Sequence, residues 1–198
     1  MASAILSSCL LVFFLTYFAD GQKYGFGRCK KIGVKEDFDL DQYLGTWYEI
    51  QKIPAGFERG LKCGTAHYEL KSNGHIKVWN RGIKVSSNAA NDDVVGDADT
   101  PNPNQPAKLK VKFSRWQPRG NYWVVDTDYT SYAVVYSCTS FFGLVRMEYA
   151  WVLARERQPD EDTRAAIQTV LDRMKSAGID TSNLVYADQT GCEALDSK

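Results

Sequence analysis

The chain contains few side chains of the kinds that enzymes use as nucleophiles, bases or metal ligands. It has two histidines, His67 and His75. Strand alternation places both on an outward face, and neither has a cluster of acidic or cysteine residues close to it in the sequence. We therefore interpret both as surface residues, and we predict no catalytic residue, no metal site and no cofactor.

A second kind of chemistry, the binding of an apolar molecule, is indicated by aromatic and aliphatic side chains that recur at alternate positions. In a strand, every second residue faces the same side. An apolar chamber with a few hydrogen-bonding groups suits a small lipophile; the alternative is that the aromatic residues fill the interior as a packed core. The inward positions predicted to bind ligand are Tyr68, Val78, Asn80, Leu109, Val111, Phe113, Tyr136, Trp151 and Leu153.

The elements that must position these side chains are strands joined mostly by short turns. The clearest is 108–113, where Leu109, Val111 and Phe113 alternate with three lysines. Between 70 and 76, a three-residue loop with Gly74 in the left-handed region keeps both strands in register. Alternation leaves open whether Tyr122 or Trp123 faces inward. The predicted strands are 47–53, 63–70, 76–80, 94–97, 108–113, 122–127, 132–138 and 147–154.

Eight strands in a meander predict an all-β fold, an eight-stranded antiparallel up-and-down β-barrel whose interior holds one small ligand. One C-terminal α-helix is predicted between Pro159, at its first position, and Gly178, which ends it. It should pack outside the barrel, and a ninth short strand is predicted at 184–187. The loops at 55–62, 86–92, 115–121 and 139–146 should share one mouth.

The N-terminus indicates a secreted protein. Residues 4–18 form an apolar run too short to span a bilayer comfortably, and small residues follow at the positions that a signal peptidase reads. We predict that residues 1–21 are a secretory signal peptide and that 22–198 form a single domain; the alternative is a membrane anchor. The cysteines that remain, an even set that can pair in three ways, are Cys29, Cys63, Cys138 and Cys192.

The charge balance excludes one class of partner. The 198 residues carry 24 basic and 24 acidic side chains. Removal of a signal containing Asp20 would leave a net charge of about +1, so nucleic acid is not an expected partner. The oligomeric state is left open.

Three short motifs together resemble the signature regions of the lipocalin family, in order and at the family spacing. They are Gly45-Thr-Trp47, Thr127-Asp-Tyr129, and Arg155 after Trp151-Val-Leu-Ala. The first lies at the start of the first strand, and the other two lie at the same closed end of the predicted barrel. An arginine over an indole face there would close the barrel floor.

The resemblance implies a floor, a disulfide pattern and a function. It implies disulfide bonds between Cys29 and Cys138 and between Cys63 and Cys192. It also implies an extracellular carrier of a small hydrophobic ligand such as a fatty acid, a steroid, a retinoid or a bilin. The floor residues it implies are Gly45, Trp47, Thr127, Asp128, Tyr129 and Arg155.

Two other classes of function remain as alternatives. A lipocalin-type enzyme acting on a lipid through a lumen thiol would need a free cysteine, and the implied pairing leaves none. A protein of membrane or lipoprotein surfaces is indicated by one mouth loop. Its apolar side chains could insert into lipid or could fold over the pocket, and they are Phe141, Phe142, Leu144 and Val145.

Overall fold

The computed structural model describes residues 23–87, 89–90 and 93–196, so the predicted signal peptide lies outside the described residues. The first half of the chain forms β1 (Lys23–Phe26), α1 (Leu40–Tyr43), β2 (Gly45–Lys52), a 3₁₀ turn (Gly56–Glu58), β3 (Leu61–Leu70), β4 (Ile76–Lys84), β5 (Ala89–Ala90) and β6 (Val94–Asp99). The second half forms β7 (Lys108–Lys112), β8 (Gly120–Thr127), β9 (Tyr132–Phe141), β10 (Val145–Ala154), α2 (Glu161–Ser176), β11 (Val185–Tyr186) and α3 (Glu193–Asp196).

Eight of these strands close into the predicted antiparallel barrel. Their order is β10-β9-β8-β7-β6-β4-β3-β2, and β2 pairs again with β10. Closure uses only the lower part of β10, from Trp151 to Ala154. Its upper part, Val145 to Glu148, pairs instead with β1. The N-terminal strand, which alternation did not predict, therefore covers the edge that β10 would otherwise expose near the mouth.

The turn between β3 and β4 shows why the register is fixed. Leu70 lies opposite Ile76, and the Lys71 N–H donates to the carbonyl of His75 at 2.8 Å. That leaves the predicted three-residue loop, in which Gly74 has φ +79°. Glycine adopts this conformation without strain, and the odd loop length keeps Tyr68 and Val78 on the same face.

The helix α2 lies against the outside of the barrel, as predicted. Its apolar stripe, Ile167, Val170, Leu171 and Met174, is buried with residues of β9 and β10. The helix begins two residues later than expected, because Asp160 is the N-cap and accepts a hydrogen bond from the Thr163 N–H at 2.8 Å. Pro159 therefore precedes the cap. The molecule thus has two apolar layers, one inside the barrel and one under this helix.

Two disulfide bonds attach the chain termini to the barrel. Cys29 is bonded to Cys138 of β9, and Cys63 of β3 is bonded to Cys192. The pairing implied by the family resemblance is confirmed. Both bonds lie in the half of the barrel nearer the mouth, since Cys63 is near the upper end of β3 and Cys138 near the upper end of β9.

We predict that replacing both Cys63 and Cys192 with serine lowers the free energy of unfolding by about 2–5 kcal/mol, because the bond closes a loop of 129 residues. Urea unfolding measures this in a chain that begins at Gln22. The single variant Cys63→Ser should leave one thiol, Cys192, that reacts with a maleimide. Equal stability of the two proteins, or labelling at Cys138 instead, would contradict the prediction.

Candidate functional site

The floor of the barrel is built around Arg155. Its guanidinium lies 3.6 Å from the centroid of the Trp47 ring, which is completely buried. It also donates to four carbonyl groups, those of Tyr129 (2.9 Å), Thr46 (2.8 Å), Leu44 (3.0 Å) and Gln42 (3.1 Å). At Gly45, with φ +92°, a Cβ would lie 3.4 Å from the guanidinium, so glycine suits this close approach.

The turn from Thr127 to Tyr129 is held by its own side chains. Asp128 accepts hydrogen bonds from the N–H groups of Thr130, Ser131 and Tyr132 at 2.8–3.2 Å. Partial burial alone would raise the pKa of Asp128, but these donors hold it below its ordinary value. Tyr129 has φ +71°, and its carbonyl is one of those that Arg155 binds. The six predicted floor residues therefore form one structural unit.

Above the floor is a narrow apolar chamber containing three tyrosine hydroxyls. The hydroxyl of Tyr122 lies 2.8 Å from that of Tyr43 and 2.6 Å from that of Tyr68. Burial raises the pKa of all three, so they are neutral at physiological pH. Tyr122, not Trp123, is the inward residue of β8. The chamber is lined by Leu40, Tyr43, Tyr68, Ile76, Val78, Ala98, Leu109, Val111 and Tyr122.

The structure brings eight of the nine predicted ligand-binding residues to the inner face. Val78, Leu109 and Leu153 are buried there with Tyr68. Val111, Phe113 and Trp151 pack against them and are partly buried. The Phe113 ring lies across β6 at Gly96, where a Cβ would come within 2.7 Å of it. Asn80 completes the set, and its buried Oδ1 has no hydrogen-bond partner among the described residues.

The prediction for Tyr136 is wrong. It packs on the outer face of the barrel, in the layer covered by α2, and its hydroxyl donates to Glu148 Oε1 at 2.6 Å. Val135 is the inward residue at this level of β9. Both faces of β9 are apolar because one faces the lumen and the other faces the helix, so hydrophobicity does not tell them apart.

Sequence reasoning missed a charged group in the upper lumen. Lys52 Nζ lies 2.8 Å from Glu49 Oε1 and 3.1 Å from Glu58 Oε2, and all three side chains are less than one-fifth exposed. The Trp151 Nε1–H donates to Glu58 Oε1 at 3.2 Å. Two acidic side chains thus flank one lysine beside a predicted ligand-binding tryptophan.

An irregularity in β2 places Lys52 inside. Strict alternation from the inward Trp47 would put Lys52 outside. Opposite β10, however, the register shifts, so that Val152 pairs with Gln51 and Leu153 pairs with Glu49. The extra residue, Ile50, packs on the outer side near α2. Such a bulge reverses the facing of every later residue, which brings Lys52 to the inner side. No residue type in 47–52 indicates the bulge.

The mouth loop after β9 is exposed, as predicted. Phe142 is 98% exposed, and Leu144 is 71% exposed. Phe26 of the neighbouring β1 is 90% exposed, which extends the apolar surface. Arg146 is not free beside this loop, because it binds Glu148 and the carbonyl of Phe26. The guanidinium nearest to the tip of the loop is that of Arg28, close to Gly143.

The histidines lie outside the lumen. His67 Nδ1 is 2.8 Å from the Thr46 hydroxyl, and His75 Nδ1 is 3.0 Å from Asp97, a carboxylate also bound by Lys71 and Arg119. In the described part of the chain, no three His, Cys, Asp or Glu side chains are grouped as metal ligands would be. No helix in that part is long and apolar enough to cross a membrane.

A closed eight-stranded barrel with this floor defines the lipocalin class, and comparison with known proteins agrees. Residues 38–189 match the family model of the lipocalin-like domain, so the chain belongs to the lipocalin family. Apolipoprotein D of Macaca fascicularis is 42% identical over 174 residues, which cover 88% of this chain and 89% of that protein. The Lazarillo protein of Schistocerca americana is 31% identical, over 78% of this chain and 71% of that protein.

Solved structures give the same fold. Insecticyanin of Manduca sexta superimposes with a TM-score of 0.73 at 25% identity, covering 86% of this chain and 91% of that one. Lobster apocrustacyanin A1 superimposes with a TM-score of 0.70 at 19% identity, covering 88% and 94%. The second likeness concerns the fold alone.

We expect Arg155→Lys to lower the free energy of unfolding by about 2–4 kcal/mol. A lysine cannot donate hydrogen bonds to four carbonyl groups and also stack on the indole ring. Arg164→Lys, on the exposed side of α2, is the matched control and should change it by less than about 0.5 kcal/mol. Urea unfolding followed by circular dichroism provides the measurement. A loss no larger than that of the control would show that the floor does not depend on this guanidinium.

The buried carboxylate of Glu49 should make stability depend on pH. Burial, and then the negative charge of Glu58, raise the pKa of Glu49 to about 7 from an ordinary 4.5. A raised pKa in the folded protein stabilises it below pH 4.5, and this stabilisation is lost as the pH rises through 7.

Relative to the unchanged protein, Glu49→Gln should therefore gain about 2–3 kcal/mol of stability between pH 4.5 and pH 8. Urea unfolding at a series of pH values tests this. Glu69→Gln, which changes an exposed carboxylate, is the control. Parallel stability curves for Glu49→Gln and the unchanged protein would contradict the raised pKa.

Proposed function

We propose that this lipocalin carries a small lipophilic molecule in its barrel and is not an enzyme. The observation that supports the proposal best is the lumen itself, which is closed at one end by Arg155 and lined by apolar and aromatic side chains. A concave apolar site with a few polar groups is typical of ligand binding. The polar groups available to a ligand in the upper lumen are Asn80 and the charged group at Lys52.

The packing of the lower chamber supports a proposal for the position of the ligand. The lower chamber is narrow because three tyrosine rings and the Trp47 ring fill its base. A ligand would therefore occupy the upper lumen, beside Trp151, Phe113 and Asn80, and extend only an apolar tail toward Val78 and Leu109. We propose these residues, with Tyr68, Val111 and Leu153, as the binding site.

We further propose that the protein acts outside the cell. Two observations support this. The apolar segment 4–18 has the length of a signal peptide, and the two disulfide bonds are of a kind that persists in oxidising compartments.

The disulfides also argue against one kind of catalysis. All four cysteines of the predicted mature chain are paired, so a thiol-dependent reaction in the lumen has no nucleophile.

Trp151→Ala should weaken the binding of retinol by about 1–3 kcal/mol, because a large ring that contacts the ligand is lost. Trp79→Ala is the control, since Trp79 is on the outside of β4 beneath Lys77 and Arg81. Quenching of tryptophan fluorescence gives both dissociation constants. Equal values for the two variants would place the ligand away from Trp151.

A second function, transient contact with a membrane or lipoprotein surface, is favoured by the exposure of the mouth loop. Phe141, Phe142, Leu144 and Val145 are all at least 36% exposed, at the end of the barrel where ligand would enter. Burying two phenylalanines in lipid contributes about 3–6 kcal/mol, enough for reversible but not permanent association. Arg28, close to Gly143, could meet anionic headgroups.

The double variant Phe141→Ser, Phe142→Ser should lose most of its binding to phosphatidylcholine vesicles containing phosphatidylserine, because it removes the two largest exposed rings of the loop. Vesicle flotation compares it with the unchanged protein and with Val95→Ser, which changes an exposed apolar residue on the outer face of β6, opposite Trp79. If the double variant floats as well as the unchanged protein, or if the unchanged protein does not float, the loop is not a lipid contact.

A further inference from the structure

The charged group of the upper lumen has an arrangement specific to a carboxylate. Glu58 uses both of its oxygens: Oε1 accepts from the Trp151 indole N–H at 3.2 Å, and Oε2 lies 3.1 Å from the Lys52 ammonium. Both partners are donors, and neither can accept a hydrogen bond in these forms. One hydrogen bond, from the indole N–H, and one ion pair, with the ammonium, hold this carboxylate, and the same two groups would suit the carboxylate of a ligand.

The residue that occupies these donors belongs to a short loop and not to the barrel wall. Glu58 ends the 3₁₀ turn that begins at Gly56, and this turn has no side-chain cap. Its backbone is bonded locally, from the Glu58 N–H to the Ala55 carbonyl at 3.0 Å. The loop touches the inner face of β10 through Glu58 and through Phe57, whose ring is 5.8 Å from that of Tyr149. The turn can therefore move away from β10 without breaking the pairing of any barrel strand.

Lys52, in contrast, is fixed in place. It lies in β2, opposite Trp151 of β10, and Glu49 on the same strand holds its ammonium at 2.8 Å. Burial alone would lower the pKa of Lys52, but its two acidic neighbours raise it above the ordinary value, so it stays charged. Departure of Glu58 would leave the Lys52 ammonium with Glu49 as its one carboxylate partner, and it would leave the indole N–H facing the lumen without its acceptor.

We propose that Lys52 and Trp151 bind the carboxylate of a lipophilic acid, and that Glu58 is an internal carboxylate that the ligand displaces. The inference rests on the proposed carrier function and deepens it by naming the class of ligand, a long-chain carboxylic acid. Its apolar tail would run down the lumen past Leu153, which follows Trp151 on the same face of β10. Displacement of Glu58 also releases the loop that covers this side of the mouth.

The test compares one fluorescent fatty acid, cis-parinaric acid, with its methyl ester, which has the same tail but no charge. Lys52→Met should weaken binding of the acid by about tenfold or more, because a charge-assisted bond is lost, and should change the ester by less than about twofold. Glu58→Gln should tighten binding of the acid by about threefold to tenfold, because an internal competitor loses its charge. Glu49 remains in both variants.

Matched controls are available outside the lumen. Lys77→Met and Glu69→Gln change the net charge by the same amounts at an exposed ion pair on the outer surface, and neither should alter the ratio of acid to ester affinity. Because Lys52→Met leaves two buried carboxylates without their cation, Lys52→Met with Glu49→Gln gives the same comparison should the single variant fail to fold.

The outcomes separate this inference from the carrier function. If acid and ester both bind, but neither position 52 nor position 58 changes the ratio of their affinities, the carboxylate site is wrong and the carrier function stands. If the unchanged protein binds retinol but neither of these compounds, the carboxylate site is wrong and the carrier function stands; if it binds none of the three, both proposals are wrong. A selective loss of acid binding in Lys52→Met together with a selective gain in Glu58→Gln is the result that the structure leads us to expect.

Discussion

The contact between Arg155 and Trp47 is the interaction on which the rest of the structure depends. A barrel of eight strands must be closed at one end if it is to hold a ligand, and here one guanidinium closes it by covering an indole ring and binding four carbonyls. Those carbonyls belong to the segment from α1 to β2 and to the turn before β9. A single side chain thereby joins the first strand of the barrel to the last, and the lumen above it can be shaped by other requirements.

The upper lumen is shaped by one extra residue in β2. Without the bulge at Ile50, Lys52 would face outward and Trp151 would lie opposite the uncharged Gln51. With it, a cation is placed inside an otherwise apolar barrel, and two carboxylates are needed to accompany it. The bulge therefore determines the polarity of the inner wall as well as its geometry, because it brings a charged side chain into a lumen that is otherwise mostly apolar.

Part of this structure could be predicted from the sequence, and part of it could not. The strand pattern around Leu109, Val111 and Phe113 and the loop at Gly74 were predictable, because period-two alternation and turn chemistry are local properties. The floor residues were implied by the resemblance to the lipocalin signature regions and not by alternation. Tyr136 was assigned to the wrong face because α2 makes the outside of β9 as apolar as the inside. Lys52 and Glu58 were missed because a bulge and a loop contact depend on the partner strand. The strand β1 was missed because its pairing with β10 is a contact between residues far apart in the sequence.

The placement of the two disulfides has a consequence for the way the protein comes apart. Cys63 and Cys138 both lie toward the mouth, whereas the floor is held by noncovalent contacts around Arg155. Reduction should therefore loosen the rim and the termini first and leave the base as the last region to exchange its amide hydrogens. The reduced protein would keep a folded floor while its rim opened, so a molecule held in the lumen would dissociate before the barrel unfolded.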